Sequence, residues 1–105
     1  MTQRNEKVIN AIREISAQFL NRENNRTSLI TVTSCTVSPD LKHAIIFITV
    51  FPTDKETAVL SFVKRNLKEL REVLRENLKM KIIPFLDVAI DQGEKNRQKI
   101  DELLR

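Results

Sequence analysis

Lys64, Lys68, Arg71, Arg75 and Lys79 recur at steps of four, three, four and four residues. On a helix of 3.6 residues per turn that spacing gathers five cations on one narrow arc. Glu69, Glu72 and Glu76 fall on a separate arc. Like charges at i,i+4 repel by a few tenths of a kcal/mol per pair, and a polyanion laid along the ridge offsets that repulsion. The chemistry on offer is phosphate neutralisation. Lys81 extends the set, so the candidate RNA-binding residues are Lys64, Lys68, Arg71, Arg75, Lys79 and Lys81. The ridge has no interleaved aromatic, which suits the backbone of a structured RNA more than stacking on unpaired bases. The competing reading is a solvated face on which Arg75 pairs with Glu72 or Glu76.

The distribution of charge bears on both readings and leaves both open. The chain of 105 residues has 18 basic and 14 acidic residues, a formal net charge of +4. From Lys64 to Lys81 there are seven basic residues and three acidic ones, and the remainder carries eleven of each, so the whole excess sits in one segment. Arg4, Lys7, Arg13, Arg22 and Arg26 are interspersed with Glu6, Glu14 and Glu23 and read as solubilising charge.

Residues for covalent or acid–base chemistry are scarce. His43 is the only histidine and Cys35 the only cysteine. A single thiol excludes an intramolecular disulfide and a multi-thiolate zinc site. Cys35 falls in a β-branched run and reads as a small buried residue without a neighbouring base. Asp87 and Asp91, four apart on a strand, share a face but have no companion ligands. Gly93 is the only glycine, so no phosphate-cradling glycine loop exists. The expectation is a protein that is not an enzyme and needs no metal or cofactor.

The elements that position the ridge follow from periodicity. Val8, Ile12, Ile15 and Phe19 mark an amphipathic helix over about Asn5 to Leu20. Leu29 to Val37 is rich in β-branched residues with partial alternation, a strand. Ser38-Pro39-Asp40 is turn chemistry. Ala44 to Phe51 is a near-continuous apolar strand, either covered on both faces or at one edge of the core, and pairs with its predecessor as a hairpin. Pro52 ends it. Thr53 with Glu56 has capping-box spacing, and the pattern Val59, Phe62, Val63, Leu67, Leu70, Val73, Leu74, Leu78 predicts one long helix from about Lys55 to Leu78. Phe85 to Ile90 is a third strand. Asp91 with Glu94 repeats the capping spacing before a short helix carrying Ile100, Leu103 and Leu104. The fold class is α+β: a three-stranded sheet with helices on one face, one domain over residues 1–105. No apolar run is long enough to span a bilayer and the first residues lack the apolar stretch of a signal peptide, so a cytoplasmic protein is expected.

Val37-Ser38-Pro39-Asp40-Leu41-Lys42-His43-Ala44 resembles the hairpin of the ribosome-binding factor A family. Leu78-Lys79-Met80-Lys81-Ile82-Ile83-Pro84-Phe85-Leu86 resembles its segment ahead of the last strand, with a basic residue three before a proline. Asp91 matches the acidic residue that ends that strand, and Ile100-Asp101-Glu102-Leu103-Leu104 resembles its terminal helix. The resemblance spans essentially the whole chain. It implies a type II KH-like fold and a factor that binds the small (30S) ribosomal subunit and its 16S rRNA. Such a factor assists late rRNA maturation, especially in the cold, as a binding factor without catalytic residues; a monomer is expected separately, since no strong extra apolar surface is evident in the sequence. Whether an assembly GTPase joins it is left open. The chain departs from the family where Ala-x-Gly usually kinks the long helix: here stand Asn66-Leu67-Lys68, so an unkinked helix with an added charge is expected. Arg71 falls where the family commonly has arginine. A generic KH-like module for single-stranded RNA and a basic protein-interaction module remain as alternatives.

Overall fold

In a computed structural model of the chain, the structure describes residues 3–23 and 28–92. Within them run α1 (Gln3–Glu23), β1 (Leu29–Val37), β2 (His43–Phe51), a 3-10 turn (Thr53–Lys55), α2 (Glu56–Asn77) and β3 (Phe85–Ile90). The closing helix expected around Ile100, Leu103 and Leu104 lies outside the described residues, as do Glu94 and Arg26.

The sheet has the order β1-β2-β3. β1 and β2 form the expected antiparallel hairpin. β3 runs parallel to β2, with His43 opposite Phe85 and Ile48 opposite Ile90. A parallel neighbour needs a crossover of a dozen residues or more, and α2 supplies it. Alternation along β2 turns Ala44, Ile46, Ile48 and Val50 to the helices, and all four are buried in the core cluster. Phe47 points to the opposite face and is buried as well, but His43, Thr49 and Phe51 on that face are exposed, so the second face of the central strand is covered only at its middle. α1 contributes Ile12, Phe19 and Leu20 to the same core, and α2 contributes Val59, Val63, Leu70 and Leu74. Each of the larger aliphatic side chains stabilises the fold by roughly 1.5–3 kcal/mol through apolar burial.

β1 carries a bulge. Leu29 to Val32 pair with Phe51 to Ile48, then Ser34 to Val37 pair with Phe47 to Ala44, and Thr33 is left over. One extra residue reverses the alternation. Ile30 and Val32 therefore face the core before it and Cys35 and Val37 after it. Burial of Cys35 pushes its thiol pKa up to about 12.

The hairpin turn is held by side chains. The Ser38 hydroxyl donates to Asp40 Oδ1 at 2.6 Å and accepts from the His43 amide at 3.0 Å, while the Lys42 amide donates to Asp40 Oδ1 at 3.1 Å. These bonds hold Leu41 at φ 61, a left-handed conformation that costs a non-glycine residue roughly 1–2 kcal/mol.

Two expectations need correction at the ends of α2. The capping box does not form: the helix starts at Glu56 and no side chain caps it. The chain enters through the 3-10 turn, in which the Lys55 amide donates to the Pro52 carbonyl and the Glu56 amide to the Thr53 carbonyl. Backbone acceptors thus take the amides that a capping box would serve. At the other end the helix stops at Asn77, and Leu78 is extended at φ −108, ψ 133. Lys79 therefore lies beyond the helix, not on its ridge. Between these ends α2 is continuous through Asn66-Leu67-Lys68, and Asn66 Nδ2 donates to the Phe62 carbonyl one turn back at 2.7 Å.

Candidate nucleic-acid interface

The core side of α2 is set by Val59, Val63, Leu70 and Leu74. With about 100° between successive residues, Lys64, Lys68 and Arg75 project well away from that side, and Arg71 sits on the flank nearest the core. The structure follows this geometry. Lys64, Lys68 and Arg75 are exposed, and so are Lys79 and Lys81 in the segment after the helix, whereas Arg71 is half-buried.

Arg71 is used by the fold. Its Nη2 donates to the Ile83 carbonyl at 2.8 Å and its Nε to the Pro84 carbonyl at 3.2 Å. Its guanidinium carbon lies 4.5 Å from the centre of the Phe85 ring. Pro84 is buried and Ile83 is 3% exposed, so one cation satisfies two carbonyls of the segment that feeds β3. Hydrogen bonds from a charged donor contribute about 1.5–3 kcal/mol. The sequence places Arg71 with the phosphate-binding residues; the structure gives it a positioning task that occupies its best donors.

Arg75 is also partly engaged. Its Nη1 lies 2.9 Å from Glu72 Oε1, and both side chains are about half exposed. A solvent-screened pair of this kind holds Arg75 only weakly. Lys64, Lys68, Lys79 and Lys81 have neither an ion pair nor a side-chain hydrogen bond among the described residues. They form two groups. Lys64 and Lys68 stand one turn apart on α2. Lys79 and Lys81 line a groove of about 430 Å³ with Met80, Ile82, Asp40 and Leu41, where the post-helix segment meets the hairpin turn. The Ser38 hydroxyl and Lys42 amide that bond Asp40 hold its carboxyl below the usual carboxylate range.

Two surface features were not foreseen. Phe85 is 62% exposed at the start of β3 and Ile82 58% exposed in the segment ahead of it, with the His43 ring 6.1 Å from the Phe85 ring. At the far end of the hairpin, Leu29 and Phe51 are a cross-strand pair, both exposed. An apolar residue at the first position of a strand reads as core from periodicity alone, and only the Phe85-x-Asp87 spacing hinted that this face meets water.

The residues that might have supported catalysis are apart. Cys35 is buried, His43 is exposed at the start of β2, and Asp87 is exposed on β3. Asp91 Oδ2 accepts from Thr33 Oγ1 at 2.6 Å. Among the described residues no three histidine, cysteine or carboxylate groups are placed to hold a metal ion, and no helix is long and apolar enough to cross a membrane.

Comparison with known proteins gives one consistent result. The family model described as ribosome-binding factor A matches residues 4–104. Ribosome-binding factor A of Clavibacter michiganensis is 36% identical over 101 residues, which is 93% of this chain and 61% of that relative, so the chain spans about three fifths of its length. The crystal structure of ribosome-binding factor A from Thermus thermophilus superposes with a TM-score of 0.76 at 17% identity, covering 85% of this chain and 98% of that one. A Thermus thermophilus ribosome-binding factor A fitted into the cryo-EM map of its 30S complex superposes with a TM-score of 0.65 at 22% identity, covering 86% and 93%. The fold is the α+β, KH-like arrangement of these structures.

Proposed function

Since the chain belongs to the ribosome-binding factor A family, we propose that it binds the small ribosomal subunit through its 16S rRNA and assists late maturation of that rRNA by contact, not by catalysis. It acts as a single copy. The observation that carries this reading is the set of four lysines, Lys64, Lys68, Lys79 and Lys81, all exposed and unpaired among the described residues. Lysine side chains kept free of carboxylates are the form in which a protein neutralises a phosphate backbone. Arg71 supports the surface from beneath by fixing the segment that carries Lys79 and Lys81.

The test is co-sedimentation with immature 30S subunits over a range of salt. The wild-type chain sediments with the subunit at low salt and is released as salt rises, because each neutralised phosphate frees counterions. The Lys64→Glu/Lys68→Glu/Lys79→Glu/Lys81→Glu variant stays in the supernatant. Association unchanged between low and moderate salt would overturn the phosphate mechanism. Preferential retention on an acidic protein would make the chain a protein-interaction module instead.

A further inference from the structure

We propose that the Phe85 ring, braced by Arg71 and flanked by His43, is a stacking platform for one unpaired base of the bound RNA. The inference rests on the RNA-binding reading above and adds to it an interaction that the cationic ridge cannot make.

A phenylalanine that is 62% exposed leaves apolar surface in water with no return in folding. Here the ring is also held in place. Arg71 lies over it at 4.5 Å, and Arg71 is itself fixed by its bonds to the Ile83 and Pro84 carbonyls. The backbone under the ring is tied down too, since the Phe85 amide donates to the Lys42 carbonyl at 2.8 Å and Phe85 pairs with His43 in the parallel ladder. An aromatic ring ordered before binding loses little entropy when a ligand stacks on it.

The surroundings select the ligand. Lys42, whose carbonyl accepts from the Phe85 amide, and Lys81, four residues before Phe85, are exposed, and Lys79 and Lys81 line the groove at the same end of the sheet. The carboxylates nearby are Asp40, which is bonded within its turn, and Asp87. An exposed aromatic amid unpaired lysines suits a nucleotide: the ring takes the base and the ammonium groups take the flanking phosphates. The Arg71 guanidinium beside the ring is a planar cation, a second kind of surface against which a base can lie. A duplex offers no free base face, so the platform picks out a loop, a bulge or an end.

The chain has neither tryptophan nor tyrosine, so Phe85→Trp creates a single fluorescent reporter at the proposed site. That variant is titrated with an oligoribonucleotide hairpin bearing an unpaired loop, and separately with a fully paired duplex of equal length. Saturable quenching by the hairpin and none by the duplex is expected. Phe85→Leu, which keeps an apolar residue there, should bind the hairpin roughly 5- to 150-fold more weakly with an unchanged salt slope. Hairpin binding without quenching, together with wild-type affinity for Phe85→Leu, overturns the platform and leaves the lysine surface standing. Failure of the wild-type chain to bind either RNA overturns both.

Discussion

Thr33 reaches across the central strand to Asp91. Its Oγ1 donates to Asp91 Oδ2 at 2.6 Å and lies 3.2 Å from the Phe47 carbonyl. The strands that carry the two residues, β1 and β3, are not neighbours, because β2 lies between them. The bulge makes the link: as the unpaired residue of β1, Thr33 is released from the ladder and turns its hydroxyl inward over β2. The end of β3 is tied by this bond and by the Asp91 amide, which donates to the Ile48 carbonyl at 2.7 Å.

Thr33→Val keeps the shape and removes the donor. A hydrogen bond to a carboxylate contributes about 1.5–3 kcal/mol, so urea unfolding should show a loss of that order. Amide exchange should rise at the end of β3 more than in β1. A variant as stable as wild type would mean that water replaces the hydroxyl without loss.

Arg71 and the exposed lysines should separate in two assays. Arg71→Lys loses the fork geometry that serves two carbonyls and should lower stability by about 1–3 kcal/mol. Lys64→Gln and Lys68→Gln should leave the melting temperature unchanged. They should reduce the slope of log affinity against log salt by roughly 0.7–0.9 for each phosphate no longer neutralised. Filter binding over four salt concentrations, beside a thermal melt, reads both.

Cys35 makes the fold sensitive to alkali. The unfolded thiol loses its proton near 9.0, the folded one near about 12. Below pH 9 both states hold the proton and stability is unaffected. Between the two values the unfolded state ionises first, so the free energy of unfolding falls as pH rises. Urea unfolding at pH 8 and pH 10 should show a drop in the wild type that is smaller in Cys35→Ala. Alkylation by iodoacetamide at pH 8 should proceed only on unfolding.

Ser16 is fully buried in α1, and its hydroxyl has no hydrogen-bond partner among the described residues. Ser16→Ala removes an unsatisfied polar atom and improves helix propensity. A gain of about 1 kcal/mol is expected, which for a domain of this size raises the melting temperature by roughly 4–8 °C.

The strands and long helix were legible because each rests on a dense local signal. Leu29–Val37 has the bounds that its β-branched content predicts, Phe85–Ile90 those expected of the segment after Pro84, and α2 follows its apolar period within a residue or two. The bulge was visible only as a slip in alternation, from Ile30 and Val32 to Cys35 and Val37. The capping box failed because a 3-10 turn, stabilised by backbone alone, leaves the same letters. The site was half legible. Exposure of Lys64 and Lys68 follows from charge and helical position, and that of Lys79 and Lys81 from charge alone, since both lie past the end of α2. The inward turn of Arg71 does not, because it depends on carbonyls of Ile83 and Pro84 that are remote in sequence and reach it only once β3 has docked. The aromatic Phe85 was hidden for the same reason.

The bulge has one more effect, on what the sheet refuses. Among the described residues β1 is an edge strand, nine residues long, and an edge of that length offers amides and carbonyls to any passing strand. Thr33 cuts it into two runs of four residues whose outward-facing groups are out of phase. A bulge of this kind twists the edge out of line and so blunts it against pairing with a second chain.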